Sequence, residues 1–360
     1  MESHPIENNA QESKKLVYIR ADGNEDIATG HLMRCLSIAR ALLRRDAQPV
    51  FMVSDMTSIR LLQKMMTPEE QALRCFPIIH MQTDYREPEK ELPVLENIFS
   101  SRKNAALLVD SYFVTPRYLS TLKQLCHVAY IDDLQAFDYP VDLVINYDIL
   151  VDGTFYKKTD RLLSGVAYTP LREQFSQSNY HPWDTVKDLF ISTGGTDPFN
   201  IAGGLARRLL ALEDWKDVCL HILTGPMHVH RHELEALAES DSRVILHENV
   251  TEMAALMEEC DLAFSAGGTT LYELCAVGVP SVSYTMADNQ IPGVKAFAEA
   301  GLIPWIGDVR DNPDFFEKAV SALHELASDA NARREQSLRM RMAIDGAGAD
   351  RIAEALMLMG

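Results

Sequence analysis

Short apolar runs recur along this chain, and between most of them lie stretches whose apolar residues fall at helical spacing. Residues 16–20, 49–53, 77–80, 105–109, 127–131 and 143–145 read as buried strands of a first half, and 188–192, 218–223, 244–246, 262–265 and 281–284 as those of a second. Parallel strands need a long crossover between them, usually a helix. The alternation therefore predicts an α/β chain of two doubly wound, Rossmann-like domains, each a parallel sheet with helices on both faces. The rhythm pauses over 147–183, where Pro170 and Pro182 interrupt it, so the linker is expected near 180–187. The expected division is a polar tail over 1–15, an N-terminal domain over 16–183, a C-terminal domain over 184–345, and a last helix over 346–360 packing back on the first domain. Ligands of open α/β sheets collect beyond the carboxyl ends of the strands, which places the expected site in the crevice between the two domains.

Bulk properties narrow the ligand. The chain has 360 residues, 47% of them hydrophobic, enough to bury the cores of two domains. A net charge of −18 opposes long-range attraction to a polyanion, so nucleic acid is excluded as a partner. A small phosphorylated ligand stays compatible, because backbone dipoles and one local cation can hold it whatever the net charge. Cys35, Cys75, Cys126, Cys219, Cys260 and Cys275 are scattered and form no CxxC pair, which fits reduced thiols and neither a disulfide framework nor a zinc site. The first fifteen residues lack the apolar stretch of a signal peptide and no later run is long enough to span a bilayer. A cytoplasmic protein with no membrane partner is expected, its oligomeric state left open.

Three strand ends turn into helices through glycine. Ala28-Thr29-Gly30-His31 follows the first strand, and Ser192-Thr193-Gly194-Gly195-Thr196-Asp197 follows the first strand of the second half. N–H groups at a helix start point outward at the positive end of the dipole, so each corner suits a phosphate or a developing oxyanion. The same dipole disfavours a charged imidazole, and His31 becomes a candidate general base; its alternative is a helix-start residue bonded only to the loop. Gly195 and Thr196 can approach a diphosphate, with Asp197 or Thr196 capping the helix, unless this is a plain βα turn. In the third turn, Ser265 to Glu273, Gly268, Thr269 and Thr270 offer donors to phosphate, and Glu273 can accept from both ribose hydroxyls. His228, His230 and His232 follow Gly225-Pro226 and precede a helical stretch, so a solvated loop is expected there rather than a metal site. Asp132-Asp133 suits either a divalent cation or a loop cap.

Taken together, seven ordered blocks resemble the nucleotide-sugar hydrolases of pseudaminic acid biosynthesis. They are Arg20-Ala21-Asp22-Gly23 with Gly30 to Leu36, Asp110-Ser111-Tyr112, Leu171-Arg172-Glu173-Gln174-Phe175, the turn from Gly194 to Pro198, Ser265 to Glu273, Asp288-Asn289-Gln290, and Asp345-Gly346-Ala347-Gly348-Ala349. The resemblance covers nearly the whole chain after the tail. That family is similar in turn to the two-domain GT-B glycosyltransferases, including the enzyme that makes lipid II. The resemblance implies hydrolysis of UDP-2,4-diacetamido-2,4,6-trideoxy-β-L-altropyranose with inversion at the anomeric carbon and with neither a metal nor another cofactor. It puts the catalytic base on His31 and further active-site groups on Tyr112 and Asn289, with Arg20, Asp22, Gly30 and Arg172 on the substrate. It places the nucleotide on the second domain, with Gly195, Thr196, Gly268, Thr269 and Thr270 near the diphosphate, Glu273 on the ribose, and Asn249 and Val250 beside the uracil. Two other readings share these residues: a glycosyltransferase in which His31 deprotonates an acceptor hydroxyl, and a nucleotide-sugar binding module without turnover. No basic amphipathic segment marks the first half for a membrane-bound acceptor, which favours hydrolysis.

Overall fold

The computed structural model describes residues 14–225 and 227–360, so the expected polar tail up to residue 13, and Pro226, lie outside the described residues. The chain forms two compact units. Unit 1 takes the described residues through Ile145, with Thr154–Leu162 and Asp350–Gly360; unit 2 takes Asn146–Gly153 and Leu163–Ala349.

The first sheet holds β1 (Leu16–Ala21), β2 (Gln48–Val53), β3 (Ile78–His80), β4 (Ala106–Asp110), β5 (His127–Ile131), β6 (Leu143–Asn146) and β7 (Arg161–Ser164), in the order 3-2-1-4-5-6-7. Every pairing from β3 through β6 is parallel. Val17 and Ile19 of β1 and Ala106 to Val109 of β4 have no exposed surface, which is why these strands read as unbroken apolar runs. The second sheet holds β8 (Asp188–Ser192), β9 (Cys219–Thr224), β10 (Val244–Glu248), β11 (Leu262–Ala266), β12 (Ser281–Thr285) and β13 (Trp305–Asp308), all parallel in the order 10-9-8-11-12-13. Strand order reverses between β1 and β4 in one sheet and between β8 and β11 in the other. Loops leaving such a pair diverge, and the gap between them is where α/β sheets bind ligands.

Two features depart from expectation. β7 and β13 were not anticipated; both are short edge strands, partly exposed along their length, so neither carries a continuous apolar run. The boundary also moves. Residues 163–183 belong to unit 2, because Leu171, Phe175 and Tyr180 are buried in its core beside Met257, Leu274 and Ile303. The last helix, Gly348–Met357, lies mostly in unit 1, where Asp350 pairs with Arg44 and Arg45 and Lys15 donates to the Met357 carbonyl at 2.8 Å. Among the described residues no helix is long and apolar enough to cross a membrane.

Candidate active site

Helix Gly30–Arg44 follows β1, and residues three and four apart share one of its faces, so His31, Arg34 and Cys35 point the same way. The pairing of Ala21 with Asp110 brings the end of β4 to them. Asp110 accepts from all three. His31 Nδ1 lies 2.5 Å from Oδ1, Arg34 donates through Nη2 to Oδ1 at 2.5 Å and through Nε to Oδ2 at 2.6 Å, and the Cys35 thiol donates to Oδ2 at 3.5 Å. Burial alone would raise the Asp110 carboxyl, but the Arg34 guanidinium and then His31 outweigh it and hold the group well below the usual carboxylate range. An ionised carboxylate only accepts. The ring hydrogen that faces it therefore sits on Nδ1, so that in the neutral ring the lone pair is on Nε2. That is the tautomer of a general base, and its orienting carboxylate also stabilises the imidazolium formed when Nε2 takes a proton.

A second carboxylate extends the cluster. Arg34 Nη1 donates to Asp133 Oδ2 at 2.9 Å, and the Tyr112 hydroxyl donates to the same oxygen at 3.0 Å. The Tyr112 ring meets the His31 ring edge-on, centroids 4.5 Å apart and planes at 73°. Burial and Asp133 push the Tyr112 phenol well up, so it acts as a donor. His31 is 5% exposed and Tyr112 45%, which leaves the phenol presented to solvent beside the imidazole. Asp132 turns away from this group to cap its own loop, accepting the N–H groups of Leu134 and Gln135 and the hydroxyls of Tyr139 and Tyr156. Gly30 is exposed, and no side chain caps the helix it opens.

Arg20 and Asp22 form a separate, closed set. Each is 3% exposed; Arg20 pairs with Asp22 and Glu91, Asp22 accepts the Ser54 N–H at 2.8 Å, and the Tyr118 hydroxyl donates to Glu91 at 3.0 Å. Their polar atoms are committed to one another, and they buttress the end of β1.

In unit 2 the turns after β8, β9, β11 and β12 pack on one another. A side chain at Gly194, whose φ is +77°, would meet Met286 Cε at 3.3 Å; the Met286 N–H donates to Gln290 Oε1 at 2.9 Å; a side chain at Gly267 would meet Gln290 Cβ at 3.1 Å, and one at Gly225 would meet the Gly195 carbonyl at 3.3 Å. Their two main helix starts differ. Buried Asp197 accepts the N–H of Ile201 at 2.8 Å and of Ala202 at 2.9 Å, so the chain's own carboxylate occupies the start of helix Ile201–Leu210. Of the two expected caps, Asp197 rather than Thr196 fills this one, and what is left for a ligand at the turn is the backbone of Gly194, Gly195 and Thr196. Helix Thr269–Val277 starts instead at Gly268, φ +154°, with no side-chain cap. Gly268 and Thr269 are exposed and Thr270 half-buried, so the outward N–H groups and positive dipole end are accessible there.

One turn into that helix, Glu273 accepts from Arg172 Nη2 at 3.3 Å, while Arg172 Nη1 donates to the Thr251 carbonyl at 3.2 Å. Burial pushes the Glu273 carboxyl up and Arg172 opposes it. Gln174 bonds the Thr251 carbonyl at 3.0 Å and the Ala254 N–H at 2.8 Å, so the segment around Arg172 ties the loop bearing Asn249 and Val250 to the Glu273 helix. Asn249 is exposed with φ +50°, and Asn289 is exposed on the turn Asp288–Gln290. The three histidines divide. His230 and His232 bond Glu233 and Glu235, but His228 is buried against Asp197, which corrects the expected solvated loop: the Val229 N–H bonds the Thr196 carbonyl at 3.0 Å and folds that segment onto the Gly194 turn. Sequence reasoning assigned no role to Arg34 or Asp110 in unit 1, and weighed Asp133 only together with Asp132, as a cation ligand or a loop cap. The available signals were Arg34 three residues after His31 and two carboxylates at strand ends.

No protein-family model matches the chain. Among curated proteins it is similar to the spore coat polysaccharide biosynthesis protein SpsG of Bacillus subtilis, 25% identical over 219 residues, which is 60% of this chain and 64% of that protein. It is also similar to the pseudaminic acid cytidylyltransferase and UDP-2,4-diacetamido-2,4,6-trideoxy-beta-L-altropyranose hydrolase of Helicobacter pylori, 25% identical over 212 residues, 55% of this chain and 37% of that one. The chain thus matches less than two thirds of the length of either. Among solved structures, MurG of Acinetobacter baumannii superposes with a TM-score of 0.68 at 16% identity, covering 96% of this chain and 100% of that one. The fold is that of the GT-B glycosyltransferases.

Proposed function

We propose that this chain is a UDP-sugar hydrolase acting on a diacetamido-trideoxy sugar, releasing UDP and free sugar with inversion. The carrying observation is the His31–Asp110 pair: a buried, ionised carboxylate 2.5 Å from Nδ1 leaves Nε2 as a base. In this reading Nε2 takes the proton of a water that attacks the anomeric carbon opposite the departing diphosphate. Tyr112, held by Asp133, orients the sugar or the water. Arg34 holds Asp110 ionised and pairs with Asp133. In unit 2, the uncapped start of helix Thr269–Val277 and the Gly194 to Thr196 backbone take the diphosphate and stabilise the charge that builds on it. Glu273, oriented by Arg172, accepts from the ribose; Asn249 and Val250 lie beside the base, and Asn289 faces the sugar. The partial likeness to the Helicobacter protein, whose name carries this hydrolase activity, supports the substrate class.

The test is incubation with the UDP-sugar, without added metal, followed by NMR for UDP and for the anomer released. Release by wild type, together with loss of release and retained UDP binding in His31→Ala, supports the proposal. UDP release only when a second sugar or lipid is supplied would replace hydrolysis by transfer, the reading that the fold shared with MurG keeps in play.

A further inference from the structure

Beneath the Gly194 turn three buried side chains have polar atoms without partners. They are Thr193 Oγ1, the Tyr284 hydroxyl and both ring nitrogens of His228. Strand register aligns Ser192 with Ser265 and Ala266 with Tyr284, so Thr193 and Tyr284 lie on the same side of the sheet. Asp197 completes the set, its Oδ2 3.5 Å from His228 Nε2, within ion-pair reach but long for a hydrogen bond. Neither His228 nor Asp197 has an exposed side-chain atom. A buried imidazole with no hydrogen bond of normal length at either nitrogen is costly, and such groups normally find a closer partner.

The neighbouring charges explain what this arrangement awaits. Asp197 already places one negative charge under the turn, held by the Ile201 and Ala202 N–H groups. A diphosphate on the Gly194 to Thr196 backbone adds more negative charge beside it. We propose that His228 takes up a proton when a diphosphate occupies this turn, closing a charge-assisted bond to Asp197 and making nucleotide binding proton-linked. This inference rests on the nucleotide reading of unit 2 given above. In the free protein, burial pushes the His228 ring below its ordinary value, with His230 adding to that and Asp197 opposing it. The other groups around it are already paired: His230 with Glu233, and Glu233 with Arg207 and Asn200. Tyr284 on β12 is a neutral phenol, its ionisation pushed well up by burial and by Asp197. The sign follows directly. The complex binds more protons than the free protein, so UDP binds more tightly as pH falls.

The experiment is a titration of histidine ring signals by NMR, with and without saturating UDP, the His228 signal being assigned by its absence in His228→Gln. UDP affinity is measured in parallel between pH 8 and pH 6 for wild type, His228→Gln and His228→Asn. The ionisation of UDP itself is common to all three proteins and cancels in their ratio. The expected result is an upward shift of the His228 midpoint on UDP binding and about a fivefold or greater gain in wild-type affinity over that pH range relative to both variants. A His228 midpoint that UDP leaves unmoved, or equal pH dependence in wild type and variants, overturns the coupling while the nucleotide reading stands. If wild type and variants all fail to bind UDP, both fall together.

Discussion

Asp110 decides what His31 can do. As an ionised acceptor between Arg34 and the imidazole, it sets the tautomer as well as the ring's position. Asp110→Asn places an amide at the same distance, whose NH2 can donate to Nδ1 and move the hydrogen to Nε2, abolishing the base without emptying the site. The expected outcome is a fall of about 10²–10⁴-fold in the rate of UDP release, read by steady-state kinetics, with UDP binding retained. The same substitution has a pH signature. Asp110 is held below its unfolded value, so its contribution to stability is complete above about pH 4, the ordinary carboxylate range, and is lost as pH falls through its folded value. The stability gap between wild type and Asp110→Asn, measured by urea unfolding, should be full at pH 7 and close at strongly acid pH. Tyr112→Phe is a milder change. It removes one partly exposed hydroxyl from Asp133, so stability should change by about 1 kcal/mol or less, and a rate loss larger than that in equivalent units would mark the phenol as a substrate contact.

Helices and turns supply the next level of control, because the same local pattern, strand to glycine turn to helix, ends in two different electrostatic states. After β8 the helix start is neutralised by Asp197; after β11 it is left open at Gly268. Asp197→Ala should destabilise unit 2 by roughly 1–2 kcal/mol through loss of its cap, measured by chemical denaturation. The glycines of Asp345-Gly346-Ala347-Gly348-Ala349 have a packing cause. A side chain at Gly346, φ +74°, would come within 2.5 Å of the Phe175 carbonyl, and one at Gly348 within 2.2 Å of the Thr169 carbonyl. Both neighbours are backbone and cannot swing aside. Gly348→Ala should cost about 1–3 kcal/mol in unfolding free energy, and a neutral result would mean that this crossing of chains is looser than the geometry describes.

At the scale of the molecule, the proposed function assigns the base to unit 1 and the nucleotide to unit 2, and the assignment has a thermal consequence. UDP at a hundred times its dissociation constant should stabilise the unit that holds it by about 2.7 kcal/mol, raising the melting temperature of wild type and of His31→Ala alike. A shift seen in wild type and lost in His31→Ala would mean that unit 1 holds the nucleotide. Much of the architecture was legible without coordinates, since parallel strands buried on both faces leave short apolar runs and the turns that follow need glycine or a capping residue. What stayed hidden depends on distance along the chain. His31 and Asp110 are 79 residues apart, and Arg34 and Asp133 are 99; only the strand order that sets β4 beside β1 brings them within hydrogen-bond reach. The prolines and polar residues of 147–183 interrupt the strand and helix rhythm, and the expected linker near 180–187 leaves 163–183 with the first domain until Leu171, Phe175 and Tyr180 are seen filling the core of unit 2. The amino-acid sequence by itself determined the two α/β sheets and the glycine turns at their strand ends, because periodicity and backbone sterics act over a few residues. Only the tertiary structure decided which carboxylate orients His31, which helix start remains open and which histidine is buried on Asp197, because pairing of charges and burial of polar atoms are settled between segments remote in sequence.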